Sequence, residues 1–219
     1  MTARIVPDDE SGRADAIAVL RAGGIVALPT DTVYGIAVDL ATPGGVERLF
    51  AAKRRPPDRG IVLLLASAAQ ADDVGVLGPA ARALAAAFWP GGLTLVVPQR
   101  PHVTPPAALT GGTPTIGVRL PDHATPRALA AAVGPIPTTS ANRSGRPEGR
   151  DAPEIVDQVG DAIDLVLDGG PAHGGPASTV VDCTGERPRV LRVGAVPLAE
   201  VAAALRAAGV ALDPGDAPG

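Results

Sequence analysis

Lysine is almost missing from this chain: Lys53 stands alone among 19 basic side chains, and the other 18 are arginine. Arginine is therefore the default cation. A position that keeps lysine asks for a compact ammonium on a flexible stem, the form suited to meeting a phosphate oxygen as a point charge. Cysteine is reduced to Cys183, which excludes an internal disulfide and a cysteine-built zinc site. It sits in the apolar run 179–183 and reads as a buried small hydrophobe. Aromatic residues make up 2% of the chain, leaving few faces on which nucleobases could stack. A net charge of −4 and a pI near 5.3 argue against a broad basic surface for nucleic acid, while allowing a confined basic pocket. No apolar run approaches the ~18 residues of a spanning helix. Residues 1–9 lack a basic-then-apolar leader, so a soluble cytoplasmic protein is expected. The signatures G-x-x-x-x-G-K-[ST], G-x-G-x-x-G and G-x-S-x-G are all absent. His102, His123 and His173 are too dispersed for a ligand pair and read as loop or surface residues.

What is present suits one α/β domain at 219 residues. The periodicity predicts helices over 11–22, 43–53, 72–89, 125–133, 153–159 and 198–208. Strands are predicted over 25–28, 36–38, 61–65, 93–97, 115–120, 136–139, 163–167, 178–183 and 190–192. The uninterrupted apolar run 61–65 suits a sheet covered on both faces. Strands outnumber what a simple βαβ alternation supplies. The expected fold is a single α/β domain with a twisted mixed sheet, parallel and antiparallel, flanked by helices. It should occupy residues 1–208, with 209–219, built of Gly, Pro, Ala, Asp and a few apolar residues, as a mobile tail.

Chemistry concentrates in a few short stretches. Residues 53–59 carry Lys53, Arg54, Arg55 and Arg59 around two prolines, and read either as a solvated turn or as a rigid basic loop facing a polyanion. Residues 137–142 end a strand with Thr138, Thr139, Ser140 and Asn142, either a capped turn or a phosphate-binding strand end. Alternation puts Thr115, Gly117 and Arg119 on one strand face and Ile116, Val118 and Leu120 on the other. Arg119 is then a bidentate carboxylate ligand, or an edge-strand charge paired with an acid. Ser178 and Arg192 repeat the arrangement, unless Arg192 is a plain surface arginine.

In order along residues 10–197, these stretches resemble the YrdC/TsaC-type threonylcarbamoyl-AMP synthases. The matching segments are 29–35, Lys53-x-Arg55-Pro56, 89–94, 118–121, Ser140-x-Asn142-x-Ser144-Gly145, 178–181 and Leu191-Arg192. The resemblance implies the short single-domain form, with a basic central cavity, and a nucleotidyltransferase that makes threonylcarbamoyl-AMP and pyrophosphate from L-threonine, bicarbonate and ATP. The product would pass to the downstream t6A transferase machinery that modifies tRNA. Lys53, Arg55, Ser140 and Asn142 are implied as catalytic. Arg59, Thr115 and Arg192 join them around ATP, while Thr32, Arg119, Thr139 and Ser178 hold L-threonine. Mg²⁺ is implied on the phosphate oxygens with no protein metal site, and stable nucleic-acid or membrane binding is not expected. Arg59-Gly60 departs from the Asn-Pro of longer relatives, which leaves the contact of position 59 open. Two alternatives stand beside this: a non-catalytic RNA-binding module, and a carbamoyl-transfer domain of the hydrogenase-maturation type.

Overall fold

The computed structural model describes residues 3–54, 61–172 and 175–213. Among these, the strands are β1 (Arg4–Pro7), β2 (Val26–Leu28), β3 (Gly35–Ala37), β4 (Val62–Leu64), β5 (Leu93–Pro98), β6 (Thr115–Arg119), β7 (Ile136–Ser140), β8 (Leu165–Asp168), β9 (Thr179–Asp182) and β10 (Arg189–Arg192). The helices are α1 (Glu10–Arg21), α2 (Gly45–Lys53), α3 (Ala69–Val74), α4 (Pro79–Phe88), α5 (Ala107–Thr110), α6 (Ala124–Val133), α7 (Ala152–Val159) and α8 (Leu198–Ala207). The strands form one mixed sheet in the order β1-β8-β2-β3-β7-β4-β6-β5-β9-β10. Pairs β1–β8, β2–β8, β4–β6 and β5–β9 are parallel, and the other neighbours are antiparallel.

Cross-strand partners point the same way, so a face of the sheet can be followed from strand to strand. One face carries Val26, Ala37, Thr138, Val62, Leu64, Gly117, Arg119, Val96, Thr94 and Val180. Over β8, β2, β3 and β7 this face packs under α1 and α6, through Ala16, Leu20, Leu129 and Ala130. Beyond Leu64 the same face is the wall of a cavity. The opposite face, with Ala27, Ile36, Leu63, Val118, Leu95 and Val181, belongs to the larger core and meets apolar residues of α2, α3, α4, α7 and α8. One side of the sheet is thus mainly core, with Thr139, the partner of Ile36, reaching the cavity, and the other is half core and half cavity. The run 61–65 is covered on both faces at Leu63 and Leu64, the latter packed with residues of α1 and α6, while Val62 also reaches the cavity wall.

Some expectations are corrected. The predicted helix 72–89 is two helices, α3 and α4. Gly75 is extended (φ −130°, ψ 165°), Gly78 is the N-cap of α4 and Pro79 fills its first turn. Strand β1 and helix α5 were not expected at all. Cys183 is only partly buried, and desolvation pushes its thiol up to about 12, which leaves it protonated and inert at neutral pH. His123 caps α6, its Nδ1 accepting from the Thr125 N–H at 3.2 Å. Within the expected tail, Val210 and Asp213 donate backbone hydrogen bonds to Leu205 and Pro188. Residues 214–219 lie outside the described residues.

Candidate active site

The cavity has a volume of about 820 Å³. Nine expected site residues line it: Thr32, Lys53, Thr115, Arg119, Thr139, Ser140, Asn142, Ser178 and Arg192. Arg55 and Arg59 lie outside the described residues. Sequence reasoning missed Thr30, Tyr34, Thr94 and Glu148, which also line it. Thr94 had a signal, since it interrupts an apolar strand on the same face as Gly117.

Lys53 is the last residue of α2 and is buried, 3% exposed. The helix stops there because Arg54 takes the left-handed conformation (φ 52°), rare for a non-glycine residue. The Lys53 Nζ donates to Ser140 O (2.5 Å), Asn142 O (2.9 Å) and Asn142 Oδ1 (2.8 Å), with Ser140 Oγ at 3.2 Å. Ser140 Oγ donates to Asn142 Oδ1 at 2.6 Å, and the Ser144 N–H to Lys53 O at 3.0 Å. The single lysine and the loop after β7 therefore form one knot. A solvated turn does not describe Lys53.

Arg119 ends β6, an inner strand between β4 and β5, and is 5% exposed. Its Nε donates to Gly91 O (3.0 Å), Nη1 to Thr32 Oγ1 (2.9 Å) and Nη2 to Asp31 Oδ1 (2.6 Å). The pairing acid that an edge strand would need is present, but the position is interior. Thr94 and Ser178 share a hydrogen bond at 2.8 Å between their hydroxyls.

Arg192 reaches the cavity through an irregularity. In β9–β10, Arg189 faces Asp182 and Val190 faces Val181, but Arg192, not Leu191, faces Val180. The extra residue is a β-bulge, which re-aims the side chain that follows it. The Arg192 guanidinium donates to Ser178 O from Nε (3.1 Å) and Nη2 (2.8 Å). Desolvation holds its pKa below the usual arginine range, Glu148 partly offsets this, and the neighbouring Arg119 adds to the lowering. The turn after β10 passes so close to Ser178 that only glycine fits: a Cβ on Gly194 would lie 2.0 Å from Ala177 O.

Two groups tie the site to its frame. Tyr34 Oη donates to Gly170 O (2.7 Å) and accepts from the Gly169 N–H (3.0 Å), and burial raises its pKa. Thr30 Oγ1 accepts from the Thr32 N–H (3.1 Å) and donates to Val33 O (2.7 Å), fixing the turn between β2 and β3. Among the described residues, no group of three or more His, Cys, Asp or Glu side chains is placed to hold a metal ion.

The family model described as Sua5/YciO/YrdC, "Telomere recombination", matches residues 18–194. A protein of Bacillus subtilis (strain 168) named threonylcarbamoyl-AMP synthase is 36% identical over 196 residues, 88% of this chain but 56% of that relative. A protein of Mycobacterium tuberculosis (strain ATCC 25618 / H37Rv) named putative threonylcarbamoyl-AMP synthase is 39% identical over 201 residues, 91% of this chain and 92% of that one. The crystal structure of Pyrococcus abyssi Sua5 complexed with L-threonine superposes with a TM-score of 0.86 at 33% identity, covering 100% of this chain and 66% of that one. Taken with the one-cavity geometry, these matches show that the chain belongs to the Sua5/YciO/YrdC family.

Proposed function

We propose that this chain is an L-threonylcarbamoyladenylate synthase, a cytoplasmic nucleotidyltransferase serving t6A modification of tRNA. It takes L-threonine, bicarbonate and ATP as substrates. The observation that carries the reading is the meeting in one cavity of the Lys53–Ser140–Asn142 knot with the Arg119–Thr32 cluster and Ser178. The names of the B. subtilis and M. tuberculosis relatives support it, as does the L-threonine held by the P. abyssi protein. Among the described residues no helix is long and apolar enough to cross a membrane.

In this reading the amine of L-threonine takes up bicarbonate as a carbamate with loss of water. A carbamate oxygen then attacks the α-phosphorus of ATP, and the bond to pyrophosphate breaks. Catalysis of such a transfer is mainly positioning and neutralisation of charge. Arg119 offers its fork to the substrate carboxylate, with Thr32, Thr139 and Ser178 beside it. Lys53, Ser140, Asn142, Thr115 and Arg192 hold the nucleotide, joined by Arg55 and Arg59. Lys53 meets phosphate by exchanging one of its loop oxygens, so the 140–142 turn adjusts when ATP binds. Mg²⁺ supplies further neutralisation when bound. Among the described residues, Glu148 is the one carboxylate that lines the cavity, and it would stand beside an ion carried by phosphate oxygens.

The test is pyrophosphate release. It should require ATP, L-threonine and bicarbonate together, with threonylcarbamoyl-AMP identified by mass spectrometry. Equal release with carbamoyl phosphate in place of threonine and bicarbonate would favour a carbamoyl-transfer domain. Retention of tRNA on filters without any nucleotide chemistry would favour an RNA-binding module.

Gly117 gives a steric check on the cavity. A Cβ there would meet nothing closer than Thr94 Cγ2 at 3.8 Å, ordinary contact, so the added atoms would occupy the cavity. Valine suits a strand. Gly117→Val should therefore keep the wild-type melting temperature while turnover falls roughly tenfold or more, since small misplacements of reactants are costly. Full activity in a folded variant would move the chemistry elsewhere.

A further inference from the structure

The guanidinium of Arg119 is almost fully buried, and its anion is Asp31, contributed by the turn between β2 and β3. Asp31 stands outside the residues that line the cavity. Its neighbour Thr32 accepts from Nη1 while Asp31 accepts from Nη2, so two consecutive residues hold the two outer nitrogens of one fork. The turn presenting them is fixed by Thr30, whose hydroxyl bonds the Thr32 N–H and Val33 O. The third nitrogen, Nε, is spent on Gly91 O. A guanidinium has five N–H donors. With one used on each nitrogen, Nη1 and Nη2 each keep one N–H for a ligand.

We propose that Asp31 is a positioning residue for the amino-acid substrate: acting through Arg119, it fixes the plane of the guanidinium so that the remaining donor on each outer nitrogen meets the substrate carboxylate. This rests on the synthase reading above. Two effects of Asp31 oppose one another. Its charge reduces the Coulombic attraction of Arg119 for a second carboxylate, while its hydrogen bond pre-pays the ordering of a long side chain. The 2.6 Å contact and the burial of Arg119 favour the second, because a loosened fork loses the two-point geometry on which carboxylate recognition depends.

The opposed effects make the test decisive. L-threonine and ATP are titrated separately by calorimetry into wild type, Asp31→Asn and Asp31→Ala, with melting curves and turnover at saturating L-threonine for each. For Asp31→Ala, the Kd for L-threonine should rise roughly tenfold while that for ATP stays within about twofold. Asparagine keeps an acceptor on Nη2 but loses the charge, so its L-threonine Kd should rise only about threefold. Turnover at saturation should stay near wild type in both. Unchanged or tighter L-threonine binding by Asp31→Ala would show an acid that merely competes for Arg119 and would overturn the proposal. Equal weakening of both ligands would reduce Asp31 to a general structural role and overturn it too. Should the alanine variant melt below the assay temperature, the asparagine variant decides by the same two comparisons. Wild-type protein that binds no L-threonine would overturn the synthase reading and this inference with it.

Discussion

Lys53→Ala is expected to lower turnover by roughly a hundredfold or more, the usual size of effect when a donor aimed at developing charge is removed. It should also cost stability. The ammonium serves oxygens of Ser140 and Asn142 from a nearly fully buried position, and orphaned buried acceptors cost about 1–3 kcal/mol. The melting temperature should fall by roughly 3–8 °C. Assays well below that temperature separate the two effects. A lowered melting temperature with wild-type turnover would leave Lys53 as a structural peg for the turn and remove it from catalysis.

Arg119→Lys should raise the KM for L-threonine ten- to hundredfold and move the KM for ATP much less. The substitution keeps the charge but offers one nitrogen where Arg119 uses three, on Gly91, Thr32 and Asp31. A charge-assisted contact contributes about 1.5–3 kcal/mol, which corresponds to the stated range. Steady-state kinetics with each substrate varied in turn measures both terms. If the ATP term rises and the threonine term does not, Arg119 serves the nucleotide and the division of the cavity is wrong.

The cavity wall was legible where local rules suffice. Alternation along β6 assigns Thr115, Gly117 and Arg119 to one face and Ile116 and Val118 to the core, as observed. The mixed sheet followed from the number and spacing of strands. The break between α3 and α4 was hidden because alanine fills both sides of it and the two glycines look tolerable inside a helix. Strand β1 is four residues with little burial, too short for periodicity. Asp31 escaped because its partner is 88 residues away, a contact set by loops meeting across the sheet. Nor does alternation give the face of Arg192. Counting by twos from Val190 sends Arg192 to the core side, and only the bulge sends it to the cavity.

That bulge also bears on the exposed border of the sheet. Among the described residues β10 closes one end of the ten-stranded sheet, where unpaired backbone groups could template another strand. Leu191 and Val193, 39% and 42% exposed, would make such a border adhesive if it were flat. The inserted residue breaks the ladder in the middle of β10, and Arg189 and Arg192 flank the break with charge. An incoming strand in regular register would match β10 only as far as Val190 before its hydrogen bonds fell out of step. The irregularity that turns an arginine toward the cavity thus also makes this border a poor seed for cross-β aggregation.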